Sequence, residues 1–452
     1  MTSRDWLAAA HVVAGDHRAA VAGYEALVAD HVRVQGPDHP QTLFARGRLA
    51  TAYCEAGHPA SAVARFTDLV RDYTRVLGPD HPHTLDVRSG LAHAHREAGQ
   101  LRTAVDEHRA LVRSRSRVQG ADHPGTLEER SDLAYALRVA GRTDHELAEF
   151  EDLVAHRARI QGPDHPDTLD ERSNLTRTLL LAGRPRAALA ACRRLLADRE
   201  RVHGPDHHET FEARLSLARA LGDAGDHRHA AELCDRLVAD RLRVLGADHP
   251  AVLHTRGWQA WLHGAAEHHR QAVELRTRLV ADYDRVHGPD HPQTLNARTG
   301  LAYALQCAGR IREALAERER VLADLTLTLG AGHPTTLSAR LQLARTHDES
   351  GDHPRAVELY AELVADCVLL YGEEHPRTLS ARWWLASAHG DAGEHRRAAE
   401  LYETLVADRA RLQGPDHPET LDTRRSQAAG HREVGELDRA LELYEALVAD
   451  LA

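Results

Sequence analysis

Thirty-four histidines are spread through 452 residues, and ten of them share one setting, Gly-Pro-Asp-His-Pro or a light variant of it, from His39 to His417. An imidazole beside a carboxylate is the raw material of a metal site or of a general acid–base pair. The spacing argues against both. The setting returns every 42 residues without insertion or deletion, so each histidine belongs to one copy of a repeated element. Neighbouring copies are then a helix-packing distance of about 10 Å apart, whereas zinc ligands lie about 2.0–2.1 Å from a single ion. No cofactor and no metal is expected. The chain has no GxSxG, GxxxxGK[ST] or HExxH, the spacings that mark the commoner hydrolytic, nucleotide and zinc chemistries. An acid–base set could be drawn from Glu212, Asp223 and His254, but nothing in their spacing compels it. An enzyme is therefore the minor reading.

A fixed period of this length identifies a repeat array, in which each unit buries its apolar face only by stacking on its neighbours. In the first complete unit, Leu43, Leu49, Ala50 and Tyr53 recur at helical spacing up to Ala56-Gly57. A second helix is expected from about Pro59 to Leu77, with Ala62, Phe66, Leu69, Val70, Tyr73, Val76 and Leu77 on one face. The five-residue loop follows, Gly78 suited to a left-handed position and Asp80, His81 and Pro82 to a cap and first-turn proline. The fold class is all-α: eleven antiparallel helix pairs in one continuous solenoid over residues 1–452, with units starting near 1, 42, 84, 126, 168, 210, 252, 294, 336, 378 and 420.

The order Leu49-Ala50, Tyr53, Gly57, Ala62, Phe66 resembles the tetratricopeptide (TPR) signature, and the Leu-Gly-Pro-Asp-His-Pro loop followed by Thr-Leu is similar to the 42-residue variety of kinesin light chains and bacterial repeat proteins. The resemblance covers essentially the whole chain. It implies a right-handed superhelix whose first helices line a concave groove that binds a protein or peptide partner.

Two departures stand out. Where the family has a first-helix tryptophan, all eleven units have arginine, from Arg4 and Arg46 to Arg424. A feature identical in every unit cannot mark one site, so a structural ladder is expected, with the second-helix aspartates (Asp30, Asp72, Asp198, Asp240, Asp282, Asp324, Asp366, Asp408 and Asp450) as partners. The second departure is the absence of the lysine–asparagine clamp for C-terminal carboxylates: the chain has no lysine.

Function belongs where the repeats differ. Let a column be the residue number's remainder after division by 42. Family geometry then places columns 2, 5, 6, 9, 12 and 13 on the groove, and all five tryptophans fall there: Trp6, Trp258 and Trp384 in column 6, Trp383 in column 5, Trp261 in column 9. Exposed amphipathic aromatics are typical binding hot spots; the competing reading is that they fill gaps against the next helix. At the centre, His254, Trp258 and Trp261 share a face, the column of Trp261 supplies Arg177, Arg219, Tyr303 and Arg345, and the column of His254 supplies Glu212. That set suits a peptide with an acidic residue beside an apolar one. The alternative is a polar small molecule or an enzyme substrate in a central pocket around Trp258 and Trp261.

The formal net charge of −11 argues against nucleic acid and against anionic membrane surfaces, both of which attract basic faces. Neither a leader pattern at Met1–Ala10 nor an apolar run of membrane-spanning length is present, so a cytoplasmic location is expected. Five cysteines lack paired spacing and are expected to be reduced and buried. The last residues, Leu447 to Ala452, continue the repeat pattern without a polar cap, which raises the expectation of a homo-oligomer paired through that end.

Overall fold

The computed structural model describes residues 3–450, which form 22 helices, numbered α1 to α22 in chain order, with no strand among them. They fall into two compact units of eleven helices each, Met1–Asp226 and His227–Ala452. Within each unit, substantial helix contacts join elements one or two apart in the chain. Within a unit each helix therefore packs on its sequence neighbours, and the first helices α3 (Pro40–Glu55) and α5 (Pro82–Glu97), α5 and α7 (Pro124–Val139), α9 (Pro166–Leu181) and α11 (His208–Asp223), and α13 (Pro250–Ala265) and α15 (Pro292–Cys307) also touch. Met1, Thr2, Leu451 and Ala452, and the side chains of Ser3, Arg4 and Asp450, lie outside the described residues.

The repeat is clearest at its first complete copy, α3 (Pro40–Glu55), α4 (Pro59–Leu77) and the opening of α5 (Pro82–Glu97). Three residues join α3 to α4, too few for anything but an antiparallel pair. Along α4, Ala62, Phe66, Leu69 and Tyr73 are buried, the stripe its periodicity requires. The loop differs in detail from the sequence expectation. Gly78 has φ 93° and ψ 161°, an extended mirror-image conformation instead of a left-handed helical one, and only glycine adopts it without cost. The cap is the histidine: His81 Nδ1 accepts the backbone N–H of His83 at 3.2 Å, with Pro82 in the first turn. Thr84 Oγ1 donates to the Gly78 carbonyl at 2.8 Å. The loop aspartate is used elsewhere. Asp80 receives Arg117 at 2.6 Å and Asp38 receives Arg75 at 2.9 Å, each closing the C-terminal end of a second helix onto the loop that opened its pair.

The arginine ladder is present. Arg46 meets Asp72 at 2.8 Å, Arg298 meets Asp324 at 2.6 Å and Arg382 meets Asp408 at 2.7 Å, while Arg172, Arg256 and Arg340 close on Asp198, Asp282 and Asp366. Two repeats have Ser114 and His156 in the aspartate column. There the arginine turns to a glutamate one and a half to two turns earlier on the same second helix: Arg88 to Glu107 at 3.2 Å, Arg130 to Glu149 at 2.6 Å. The same glutamate column also serves Arg298, which pairs with Glu317 at 2.7 Å as well as with Asp324, so a first-helix arginine in this column is offered a carboxylate with or without the aspartate.

A second, buried arginine column was not apparent from the pattern. Arg115, Arg157, Arg199, Arg241 and Arg409 are each at most 6 % exposed. Four of them meet a polar residue in column 3 of the next repeat: Arg115 Nε lies 3.4 Å from Glu129, Arg157 Nε 3.6 Å from Glu171, and Arg241 and Arg409 donate to Thr255 and Thr423 at 2.5 Å and 2.7 Å. Where the column is apolar its partner is small and apolar, as with Leu325 on Ala339 and Tyr73 on Val87. Arg199 is the exception; it faces Ala213 and bonds Asp170 and Ser173, each at 2.9 Å.

Cys192, Cys234 and Cys367 are buried, and Cys54 is half-buried. Burial pushes the Cys192 and Cys234 thiols up to about 12. Cys307 departs from expectation, since it is exposed on a column that faces away from the stacked core. No helix of the described residues is long and apolar enough to cross a membrane.

Candidate binding face of the first helices

Of the columns expected to line the groove, 2 and 9 are mostly exposed, while 5, 6 and 12 are mostly half-buried and Leu215 of column 5 lies in the core. On α13 (Pro250–Ala265), columns 0, 1 and 3 are buried as Val252, Leu253 and Thr255, while His254 and Trp261 are exposed and Trp258 is half-buried. The three form one cluster. Trp258 Nε1 donates to a His254 ring nitrogen at 3.3 Å, and the two indoles meet edge to face at 5.6 Å. Each ring is thereby held in place before any ligand arrives, which lowers the entropic cost of binding.

On α15 (Pro292–Cys307), Tyr303 is 59 % exposed, and a hydrogen bond with Cys307 one turn on raises its phenol pKa. Column 6 of the same helix is Gly300, and a side chain there would collide with the Arg276 guanidinium, 2.7 Å from the position of its Cβ. Arg276 comes from α14 (His269–His287), in a column that holds core aromatics such as Phe66 and Tyr360 in other repeats and buried Arg318 in the next. It therefore reaches into the space left by the missing side chain. Burial lowers its pKa, and no ion pair to it occurs among the described residues.

The other predicted residues are more dispersed. Arg345 lies with its guanidinium 5.2 Å from the Trp384 ring centroid and 4.0 Å from Glu349. Trp384 stacks on buried Tyr360 at 6.3 Å, and Trp383 packs edge-on against Tyr402 at 6.4 Å; both indoles take part in core clusters, as the gap-filling alternative anticipates. They also line a cavity of about 350 Å³ with Ser380 and Asp422. Trp6 on α1 (Ser3–Val13) is 64 % exposed.

In the first unit, Arg177 on α9 (Pro166–Leu181) donates to Asn174 at 2.9 Å. Glu212 on α11 (His208–Asp223) is exposed, 3.9 Å from His208, and Arg219 is half-buried. Glu212 and Asp223 stand at opposite ends of that helix, about 16 Å apart at 1.5 Å per residue, so they cannot act on one substrate atom. Two further aromatic residues of these columns are not tryptophans. The Tyr135 ring is approached by the Arg96 and Arg138 guanidinium groups at 4.4 Å and 4.2 Å from its centroid. Phe44, 57 % exposed, borders a cavity of about 690 Å³ with Val13, Arg48 and Val87. Their columns, 2 and 9, were the available signal.

His203, His207 and Glu209 place one ligand atom each within 4.8 Å of one another. The fold accounts for each: His207 caps α11, accepting from the Glu209 N–H at 3.3 Å, and His203 and Glu209 occupy the columns that brace the loop elsewhere as Gln35 with Gln41 and Gln413 with Glu419. Glu209 is further held by Arg199.

The tetratricopeptide repeat family matches residues 1–74, 299–367 and 377–449 through one of its profiles and 168–209 and 210–251 through another. No curated protein matches the chain. Among solved structures, nearly identical TPR-like repeats of a Podosopora anserina protein assigned as a kinesin light chain are 31 % identical over 46 % of this chain and 98 % of that one, with a TM-score of 0.42. A point variant of the same repeats is also 31 % identical, over 45 % and 96 %, with a TM-score of 0.42. BtubC (BKLC) from P. vanneervenii is 19 % identical over 52 % of this chain and 92 % of its own, with a TM-score of 0.38.

Proposed function

The chain belongs to the tetratricopeptide repeat family, and we propose that it is a scaffold that holds a protein or peptide partner on the face lined by its first helices. The observation that carries this reading is the Trp258–Trp261 pair. Stacking does not require it, because equivalent columns hold Gly300, Gln342, Ser387 and Arg345. It is partly exposed, pre-positioned by His254, and accompanied one repeat on by Tyr303 and by the guanidinium of Arg276, which has no ion-pair partner among the described residues. An apolar side chain against the indoles and a neighbouring carboxylate on Arg276 would satisfy both at once, since an unpaired half-buried cation is stabilised by an incoming anion. The partner is thus a segment with an acidic residue beside an aromatic or aliphatic one.

The test is affinity purification of the tagged chain from cells, with and without Trp258→Ala and Trp261→Ala. Hot-spot aromatics are worth at least about 2 kcal/mol each, so each variant is expected to retain less than about a tenth of the partner with unchanged helical circular dichroism. Full retention by the double variant rules the site out.

A further inference from the structure

Helix pairs are repeatedly closed by an arginine in column 33 that grips an acid in the loop before it. Among these are Arg75–Asp38, Arg117–Asp80, Arg159–Asp122, Arg201–Asp164, Arg285–Asp248 and Arg411–Glu374. Two repeats in the second unit have leucine instead: Leu327 and Leu369, 86 % and 85 % exposed. They differ in what became of the acid. Opposite Leu369 the loop residue is Gly332, and a Cβ there would press on Leu370 at 2.9 Å, so neither member of the ion pair is present. Opposite Leu327 the acid remains. Asp290 has no ion pair or hydrogen bond among the described residues, and it sits at the edge of a cavity of about 490 Å³ lined by Leu295, Leu325, Leu329, Asn296 and Gln342.

We propose that this cavity binds a partner segment carrying an arginine next to an aliphatic residue, its guanidinium taking on Asp290 the place that Leu327 vacates and its aliphatic side chain entering against Leu295, Leu325 and Leu329. Arginine is specified over lysine because the loop carboxylates are built to accept a forked donor: Arg75 reaches both oxygens of Asp38, at 2.9 Å and 2.5 Å, and a lysine presents a single point charge. The proposal rests on the scaffold reading but uses residues apart from Trp258 and Trp261.

The experiment presents immobilised full-length chain with degenerate acetylated heptapeptide libraries whose central residue is fixed as arginine, lysine or citrulline, the neutral isostere of arginine, and quantifies retained peptide by mass spectrometry. Wild type is expected to retain the arginine library about tenfold over citrulline, with lysine between and aliphatic residues enriched beside the centre. Asp290→Asn removes the carboxylate and Leu327→Arg supplies the guanidinium internally; both are surface changes, and both are expected to bring the ratio to about one. Leu369→Arg adds the same charge where Gly332 offers no acid, and is expected to keep the wild-type ratio. A wild-type ratio near one, an unchanged ratio in Leu327→Arg, or equal loss in Leu369→Arg, which would assign retention to net charge, each overturns the proposal. Trp258→Ala and Trp261→Ala are expected to leave the library ratio unchanged, so failure here is separable from failure of the indole site.

Discussion

Glu267 has φ 62°, the one positive value among the described residues that are not glycine, at a turn where the other repeats have glycines such as Gly57, Gly225 and Gly309. A side chain in the left-handed region crowds its own carbonyl and costs about 1–2 kcal/mol. Glu267 is exposed; its backbone N–H donates to the Gly264 carbonyl at 3.0 Å, as the glycines of this turn do, and its side chain forms no hydrogen bond or ion pair among the described residues that would offset this. Glu267→Gly is therefore expected to raise the free energy of unfolding in urea by about 1 kcal/mol, less the greater entropy of an unfolded glycine; an unchanged or lowered value would mean that the turn has found a compensating contact. The break in the glycine column was legible in the sequence because a turn leaves its mark on residue type. Arg276 was not, for a related reason. It stands in a second-helix column that periodicity assigns to the core, and periodicity reports the face a residue occupies but not how far a long side chain extends from it. Its exit through the gap at Gly300 depends on two columns of different helices meeting, which only coordinates reveal.

At the scale of elements, the ten loops looked at first like a repeated acid–imidazole site and are joints. Each part of Gly-Pro-Asp-His-Pro-x-Thr acts mechanically. The glycine turns, the histidine caps, the threonine ties back to the glycine carbonyl, and the aspartate holds the returning helix. The sequence pattern placed the joint and its cap among Asp80, His81 and Pro82 but did not separate the roles of the first two, since either can cap and the capture of the aspartate by an arginine 37 residues later is a tertiary event. That capture has a pH signature. The Arg75 guanidinium beside Asp38 and the Arg201 guanidinium beside Asp164 hold both carboxyls below the usual carboxylate range. A carboxyl whose pKa is depressed by folding contributes stability that is complete above its unfolded value of about 3.9 and is lost as the pH falls through its folded value. Melting temperature is therefore expected to drop between about pH 5 and pH 2, and to drop less steeply in the Asp38→Asn, Asp164→Asn double variant. Parallel curves would show that these exposed pairs contribute nothing, as isolated surface ion pairs often do.

Over the molecule as a whole, a strict 42-residue period suggests that any unit can be removed, because excising one period preserves every column. The buried arginines contradict this, since what a repeat tolerates depends on what precedes it. Glu129 is 2 % exposed and is held by two residues of the repeat before it, His108 at 2.6 Å and Arg115 at 3.4 Å. Glu171, 4 % exposed, occupies the same column one repeat later and is approached by Arg157. Deleting residues 126–167 joins the repeat of His108 and Arg115 to that of Glu171, so a buried carboxylate again meets a buried guanidinium. Deleting residues 84–125 removes the same number of residues but places Glu129 against Phe66 and Tyr73, which occupy the columns of His108 and Arg115. A buried carboxylate stripped of its cation costs about 3–5 kcal/mol. The first deletion is therefore expected to leave the chain helical and close to its original urea midpoint, as nearest-neighbour stacking requires. The second is expected to lower that midpoint, with Glu129→Val in the shortened chain restoring most of the loss, because an apolar group can then complete the apolar pair that Tyr73 makes with Val87 in the full chain. Equal stability of the two deletions would reduce the matched columns to coincidence. Unequal stability, rescued at residue 129, would establish that the order of the repeats is written in the buried charges between them.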